Sequence, residues 1–443
     1  MEELIGFTIH RDPHIDSQLA EQMKIIRNEI INTYKEVYTI ILAGGFGRGE
    51  GSIKILKSGK VVPMKDYDIY VITDNEIGEN EYIGMIKRIH KKIGIKSSWY
   101  FSVGPGEFSV GVQTIPLRKL DRLPPDIATI DLKMASKILY GEDLRGRIPL
   151  GNDDIILSTG AIVLFNKIIG LLEQMNPGLM HKNLGKAKKT SIVYECGKTF
   201  IEICTALTIL AKQYVPSYFR RAENFDQLCA EKFPDLLEKI PDLPNKVAFF
   251  TKLKLMSSFD EYKGDPIELW FTTRRYFNEV LQYYMEKFLN INSSANDWVD
   301  FCDKLYQELG FKFFKEYIHY NLRDIPLYHR QLLPLLSTVG QIYDNFLFVN
   351  RMRLIKKKMY LVPIFSWRSP LVKTFCASTI ELNAINEDGN IESKLLQKAI
   401  SFIKKTYPII TNFSSQIERW DAVRKACVES QKWYFTRKEK IAI

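Results

Sequence analysis

The chain of 443 residues has no apolar run long enough to cross a lipid bilayer. Its longest apolar stretches, AIVLF at 161–165 and IEICTALTILA at 201–211, fall far short of the roughly 20 residues that a membrane-spanning helix needs. The first residues, MEELIGFTIHRD, have neither the basic start nor the apolar segment of a signal peptide. The sequence therefore predicts a cytoplasmic protein with no membrane span.

Cysteine is scarce, and its spacing argues against a structural zinc site. The six cysteines lie at positions 196, 204, 229, 302, 376 and 427. They include no C-x-x-C pair, and no histidine stands at zinc-finger spacing from any of them. Single cysteines this far apart are typical of reduced, buried thiols.

The two most familiar phosphate-binding motifs are also missing. The P-loop pattern G-x-x-x-x-G-K fails because Gly49 is followed by Glu50 rather than by lysine. The dinucleotide pattern G-x-G-x-x-G fails at its last glycine, where Glu50 or Ser52 stands. A glycine-rich segment at 42–52 therefore needs another explanation.

Basic residues outnumber acidic residues, and nearly all of the excess lies after residue 150. The net charge is +10, of which residues 1–150 hold +1 and residues 151–443 the remaining +9. A basic region beside a near-neutral one favours an anionic partner such as a nucleotide, a sugar phosphate or nucleic acid. Solvated surface lysine explains the excess equally well.

The N-terminal third mixes strand and helix patterns. Strand patterns rich in Ile, Val and Tyr occur at 37–44, 65–73, 97–103 and 108–117. Helical patterns occur at 16–35, 78–94 and 127–141. This order predicts a mixed sheet with flanking helices that ends near residue 150.

After residue 150 the patterns are helical. They cover 155–175, 187–213, 225–238, 245–258, 266–290, 296–318, 328–350, 391–406 and 415–437, and SWRSP at 366–370 indicates a loop. A chain of this length is expected to form two or three domains. We predict an α+β protein with an N-terminal domain at 1–150, a helical domain at 151–290 and a C-terminal helical region at 291–443.

Five glycines lie in the segment LAGGFGRGEGS at 42–52. Glycine lets the backbone adopt a positive φ and approach a ligand closely. A strand that enters such a turn can aim several backbone N–H groups at a phosphate. A flexible hairpin without a ligand is the alternative.

Two aspartates, Asp66 and Asp68, stand at the start of the strand pattern 65–73. Residues two apart on a strand share a face, so both carboxylates point the same way, while Tyr67 points to the opposite face. At about 4 Å and an effective dielectric of about 20 they repel by roughly 4 kcal/mol, which a divalent cation such as Mg²⁺ would reverse. Polar residues of a strand-entry turn are the alternative.

The order of these motifs resembles the DNA polymerase beta-type nucleotidyltransferase superfamily. A strand leads into Gly44-Gly45, about 20 residues follow, and Asp66-x-Asp68 then stands beside apolar residues. The stretches GGFGRGEG and KDYDIYV are similar to a bacterial and archaeal subgroup of proteins with such a domain. DLKMASKILYGED at 131–143 is similar to the segment that closes it. The resemblance covers about residues 37–145 and implies a nucleotidyltransferase fold in the domain 1–150.

The resemblance also implies a set of site residues. Asp66 and Asp68 would hold Mg²⁺ (or Mn²⁺) as catalytic ligands. The turn residues Gly44, Gly45, Phe46 and Gly47 would position the triphosphate of an NTP substrate.

Two basic residues are further candidates for nucleotide binding. Arg48 is near enough in sequence to reach a phosphate, or else it is a surface arginine paired with Glu50. Similar proteins supply a lysine to the triphosphate from a helix after the sheet, and Lys198 is the candidate here. A solvated lysine face is the alternative for Lys198.

The sequence departs from the family at the third acid. The family carries a further carboxylate on a later strand, but Gln113 stands at the matching position, three residues before Pro116. An amide is a neutral ligand and cannot act as a base, so its presence weakens the metal that activates the attacking hydroxyl. Glu107 and Asp131 are the alternative third ligands.

Two later segments combine aromatic or basic residues. YVPSYFRR at 214–221 has rings and arginines that either stack on a base or cap a helical core. RMRLIKKKM at 351–359 has five basic residues in nine, which favours either an anionic partner or a solvated face.

Two functions follow from these patterns. The first is Mg²⁺-dependent transfer of a nucleotidyl group from an NTP to a hydroxyl or phosphate acceptor. The acceptor is a small molecule such as a sugar phosphate, an RNA or a protein, and the patterns leave that choice, the base of the NTP and the oligomeric state open. The second is a nucleotide- or nucleic-acid-binding module that has lost the third acidic ligand.

Overall fold

The computed structural model describes residues 6–94, 108–180, 183–293, 297–321, 338–343, 369–404, 406–407 and 413–441. The predicted strand 97–103, the basic segment 351–359 and Glu107 lie outside the described residues. So does most of the helical pattern 328–350.

The strands of the described residues form two sheets. The larger sheet has the order β5-β4-β1-β6, and the smaller is the hairpin β2-β3. Strand β1 is antiparallel to β4 and β6, whereas β4 and β5 are parallel. The strands are β1 (Thr39–Ala43), β2 (Ile53–Ile55), β3 (Val61–Pro63), β4 (Tyr67–Ile72), β5 (Val110–Ile115) and β6 (Lys137–Gly141).

Helices make up most of the described chain. They are α1 (Pro13–Thr33), α2 (Gly44–Gly47), α3 (Glu79–Ile93), α4 (Ile127–Met134), α5 (Leu157–Gln174), α6 (Lys186–Leu210), α7 (Tyr218–Lys232), α8 (Pro234–Lys239), α9 (Leu243–Leu255), α10 (Pro266–Leu289), α11 (Trp298–Asn321), α12 (Pro370–Asn383), α13 (Ser393–Ile403) and α14 (Gln416–Ile441). The predicted α+β class, with a mixed sheet followed by many helices, is therefore confirmed.

The two faces of the larger sheet meet different layers. Tyr67, Ile69 and Val71 of β4 are buried in a core shared with α1 and α3, as the alternation of the sequence predicted. On the opposite face, Ile72 shares a second core with Ile209 of α6 and with residues of α4. Asp68 lies on this second face, so the sheet presents it toward the helical part of the chain.

One predicted helix is only half helical. The pattern 127–141 forms α4 only as far as Met134, and the remaining segment forms β6 at the edge of the sheet. Its residues pair with β1, and such tertiary pairing overrides a local helical pattern. Gly141 adopts φ +81°, and a Cβ there would lie 1.9 Å from the carbonyl oxygen of Tyr38.

The helices after residue 150 share one apolar core that extends from Ala161 to Val428. The predicted helix 225–238 is two helices, α7 and α8, because Pro234 lacks the N–H that continuation requires. Residues 366–368 of the predicted loop 366–370 lie outside the described residues, and its last two residues, Ser369 and Pro370, are the N-cap and the first residue of α12. The domain boundaries near 150 and 290 stay predictions.

Two expectations from composition agree with the structure. All six cysteines are free and buried. No helix among the described residues is long and apolar enough to cross a membrane.

Candidate functional site

The glycine turn lies directly against one of the two aspartates. Strand β1 ends at Ala43, which pairs with Asp68 of β4, and the chain then turns into α2. Gly44 adopts φ +62°, and a Cβ at this position would lie 2.0 Å from Oδ2 of Asp68. Any other residue would therefore displace the carboxylate, and the sequence spacing had indicated this proximity.

The tight turn also requires glycine at its far end. A Cβ at Gly47 would lie 2.4 Å from the carbonyl oxygen of Leu42, so the turn can fold back on the end of β1 only with glycine there. The first N–H groups of any helix have no partner within that helix. In a one-turn helix such as α2, the N–H groups of Gly44–Gly47 therefore have no partner within the helix.

The two aspartates share the same face of the sheet. Asp66 immediately precedes β4 and Asp68 is its second residue. Oδ1 of Asp66 is buried and has no hydrogen-bond partner in the described structure, whereas the Asp68 side chain remains open to solvent. Buried polar atoms normally have a partner, and a cation or a water molecule would supply one to this oxygen.

The electrostatics of the pair favour a cation. Partial dehydration by the surrounding protein, followed by repulsion from Asp66, raises the pKa of Asp68 to about 6, while Arg48 opposes the shift. When dehydration and repulsion raise the pKa of a carboxyl group, its ionised form is destabilised, and a nearby positive charge stabilises that form again. A cation close to Asp68 would therefore stabilise its ionised form.

The donor set fits Mg²⁺ only together with substrate oxygens. No group of three or more His, Cys, Asp or Glu residues in the described part of the chain could hold a metal ion. Mg²⁺ is, however, commonly bound by one or two carboxylates plus the phosphates of a nucleotide. Asp66 and Asp68 are the residues that would hold such an ion.

The structure places two of the three candidates for the missing third acid. In the parallel pairing of β4 with β5, Gly111 lies level with Asp68, and Gln113 lies level with Tyr70 and is exposed. Gln113 therefore shares the face of Asp68 but lies one residue pair farther along the strand. Asp131 is buried and accepts hydrogen bonds from Arg48 and Tyr214.

Arg48 is held by acids instead of being free at the surface. Its Nη1 lies 2.6 Å from Oδ2 of Asp131, and its Nε lies 3.4 Å from Oε2 of Glu50. The pairing with Glu50 that the sequence allowed is present, but Arg48 is buried, so the surface location was wrong. Burial lowers the pKa of Arg48, but the neighbouring Asp131, Tyr218, Glu50 and Tyr214 together outweigh burial, and the net shift is upward.

Glu50 connects the glycine turn to the start of α7. One of its oxygens accepts hydrogen bonds from Oγ of Ser217 at 2.7 Å and from the N–H of Phe219 at 3.0 Å, and the other accepts from the N–H of Tyr218 at 3.0 Å. A carboxylate at a helix N-terminus satisfies unpaired amides and interacts favourably with the helix dipole. Burial opposes ionisation, but Arg48 and these donors lower the pKa of Glu50.

Lys198 faces the same junction. Its Nζ donates to Glu202 at 2.9 Å, and its side chain is 16% exposed, so it does not belong to a solvated lysine face. Despite burial, Lys198 and Lys167 lower the pKa of Glu202 to about 2. Elsewhere on α6, the ring of Tyr194 lies 4.8 Å from Nζ of Lys65, the residue before Asp66. Helix α6 therefore lies across from the acid pair.

The aromatic segment 214–221 forms much of the contact between the sheet and the helices. Tyr214 donates to Asp131 at 2.7 Å, and Arg221 donates to the carbonyl oxygens of Val215 and Pro216. These contacts agree with the interpretation of the segment as a cap on a helical core. Stacking on a base stays a prediction.

Sequence reasoning missed Lys254 of α9. Val247, Phe250 and Leu255 define a buried helical face, and Lys254 lies on that face with 9% of its surface exposed. A lysine at an apolar helical position is a signal that the spacing could have provided.

Comparison of the chain with protein-family models, with curated proteins and with solved structures finds no match. The function must therefore be inferred from the residues of the site and their geometry.

Proposed function

We propose that this chain is a Mg²⁺-dependent nucleotidyltransferase that moves a nucleotidyl group from an NTP to a hydroxyl or phosphate acceptor. The observation that carries this proposal is the contact between Gly44 and the carboxylate of Asp68. A phosphate-binding turn and a metal-binding acid pair are the two parts that such a transfer needs in one place. In the described structure they are neighbours.

The arrangement of the sheet supports a nucleotidyltransferase fold for the N-terminal part. Strand β1 leads into the glycine turn, its antiparallel neighbour β4 begins with the acid pair, and β5 lies parallel beside β4. This is the order of elements that the resemblance implied. Ile209 of α6 belongs to the core on the Asp68 face of the sheet, and Ser217, the N-cap of α7, is bonded to Glu50 of the glycine segment.

Each residue of the site has a distinct role in the proposed reaction. Asp66 and Asp68 would hold Mg²⁺, which would neutralise phosphate charge and polarise the phosphoryl group under attack. The N–H groups of the turn Gly44–Gly47 orient the phosphates. Glu50 and Arg48 position the turn through their bonds to α7 and α4.

Among the described residues no unpaired carboxylate takes the place of the third acid, and this favours a second candidate function. Gln113 is neutral, exposed and displaced from Asp68 by one residue pair, and Asp131 is already paired. A site with two acids can bind a metal–nucleotide complex yet lack the ligand of the metal that activates the acceptor hydroxyl. The second candidate is a nucleotide-binding module without turnover.

Transfer of label from each NTP with Mg²⁺ or Mn²⁺ separates these functions. We expect the wild-type chain to label an acceptor and Asp68→Asn to lose the transfer. Asp121→Asn, which changes an exposed carboxylate of the same domain, should retain it. Metal-dependent NTP binding without transfer to any acceptor would identify the binding module, and the absence of both binding and transfer would overturn the two proposals together.

A further inference from the structure

Four cationic side chains surround the ring of Tyr218, the first residue of α7. Cζ of Arg48 and Cζ of Arg221 lie 4.8 and 4.7 Å from the ring centroid. Nζ of Lys198 and Nζ of Lys254 lie 5.1 and 4.9 Å from it. The ring attracts each cation, but the cations repel one another, so nearby negative charge must balance them.

Three carboxylates belong to this cluster, and each is engaged by a partner other than the α9 lysine. Glu50 accepts from Arg48 and the start of α7, and Asp131 accepts from Arg48 and a tyrosine. Glu202 accepts from Lys198. None of these three carboxylates is bonded to Lys254.

Among the described residues neither Arg221 nor Lys254 is bonded to an acid, but Arg221 donates to two carbonyl oxygens and Lys254 has no such acceptor. Lys254 is 9% exposed, and in the described structure its Nζ has no acidic partner and no hydrogen-bond acceptor, only the ring of Tyr218. Dehydration, followed by repulsion from Lys198 and Arg48, lowers the pKa of Lys254 to about 7. Proteins rarely bury a lysine in this way without a partner, because an unpaired charge is expensive to dehydrate.

The position of Lys254 is linked to the glycine segment. Its carbonyl oxygen accepts a hydrogen bond from Oγ of Ser52 at 3.3 Å, which connects α9 to the chain that leaves the turn. The hydroxyl of Tyr218 has no partner in the described structure and is a neutral donor in the same cluster. An ammonium and a hydroxyl are complementary to an oxyanion with several acceptor oxygens.

We propose that Lys254 and Tyr218 form a binding site for a phosphoryl oxyanion at the junction of the sheet and the helices. The bound anion supplies the acceptor oxygens that Nζ of Lys254 lacks. The inference rests on the proposed function only for the source of the phosphoryl group. That source is either the terminal phosphates of the NTP or the phosphate of a phosphorylated acceptor.

Calorimetric titration of the full chain with inorganic phosphate and with pyrophosphate, without Mg²⁺ or nucleotide, tests the site. We expect Lys254→Met to weaken binding by about 10- to 100-fold, because a charge-assisted hydrogen bond is lost. Lys252→Met changes an exposed lysine of the same helix and should bind like the wild type. Equal affinity in Lys254→Met and the wild type, or no binding of either anion, overturns the proposal.

The melting temperature shows whether a loss of binding in Lys254→Met results from a folding defect. Without anion, Lys254→Met should melt at or above the wild-type temperature, because it removes an unpaired buried charge. If it melts lower, Tyr218→Phe takes its place in the titration and should weaken binding by about 3- to 10-fold through loss of one neutral donor. Unchanged affinity in Tyr218→Phe would then overturn the proposal.

Comparison of the anions identifies the source of the group. Tighter binding of pyrophosphate assigns the site to the terminal phosphates of the NTP, and tighter binding of inorganic phosphate assigns it to the acceptor. Because these titrations need neither metal nor turnover, failure of label transfer leaves their result intact. The two proposals therefore fail separately.

Discussion

At the scale of single residues, the contribution of Gly44 to the site can be tested against Gly59, because both glycines have a positive φ. Gly44 and Gly59 adopt φ +62° and +78°, but a Cβ at Gly59 would meet nothing within 4 Å. Both Gly→Ala changes should therefore cost about 1–2 kcal/mol of backbone strain. Only Gly44→Ala should also displace Asp68 and reduce metal-dependent NTP binding, as measured by calorimetry. Equal binding by the two variants would show that Gly44 does not shape the site.

The titration of Lys254 should appear in the stability of the chain. Its pKa of about 7 in the folded protein lies below the value of about 10.4 in the unfolded chain, so the unfolded chain binds more protons between these limits. The free-energy cost of burying the charged Lys254 side chain applies in full below about pH 7 and is lost as the pH rises toward about 10. The free energy of unfolding of the wild type should thus rise by up to about 1.4 kcal/mol per pH unit relative to Lys254→Met.

Urea unfolding at about pH 7, 8 and 9 in phosphate-free buffer measures this difference. Lys252→Met, with its exposed side chain, should follow the wild type at every pH. Parallel pH profiles for the wild type and Lys254→Met would mean that Lys254 has an ordinary pKa and hence a partner.

At the scale of elements, α7 depends on an acid that lies far away in the sequence. Glu50→Gln keeps one carbonyl oxygen but loses the charge that three donors and Arg48 share. We expect a loss of about 1–3 kcal/mol in the free energy of unfolding, measured with urea. Glu223→Gln, an exposed change on α7 itself, should cost little. Similar stability in both variants would argue against the cap.

Local patterns predicted the elements whose partners are near in the sequence. The alternation of 65–73 identified β4 and its buried face, and apolar spacing identified α5, α6 and α10. The segment 137–141 was assigned to a helix because its strand character depends on pairing with β1, about 100 residues earlier. Helix α12 was missed because it is buried on almost every side and has no alternation between apolar and polar faces.

The site was predictable only in part for the same reason. The glycine turn and Asp68 are 24 positions apart on paired strands, so their motifs could be connected from the sequence. The bonds of Glu50 to α7 and of Asp131 to Tyr214 span more than 80 residues, and no local pattern records them. Polar contacts between distant elements can be found only when the fold is known.

At the scale of the whole molecule, the sheet and the helices should unfold together. Ile41, Ile72 and Ile130 share a core with Ile209 and Tyr214, and Glu50 and Asp131 add polar bonds across the same junction. Hydrogen exchange in increasing urea should therefore open the amides of β4 and α6 in one cooperative step. Earlier opening of β4 would show that the two parts are stable independently.

The attachment of Glu50 to α7 limits how a substrate can enter. At one end the glycine turn continues the central strand β1, and at the other it is held by the first amides of α7. Under the proposed function, the turn would not swing over an arriving nucleotide in the manner of a catalytic lid. Selection among nucleotides would then depend on the fixed shape of the glycine turn.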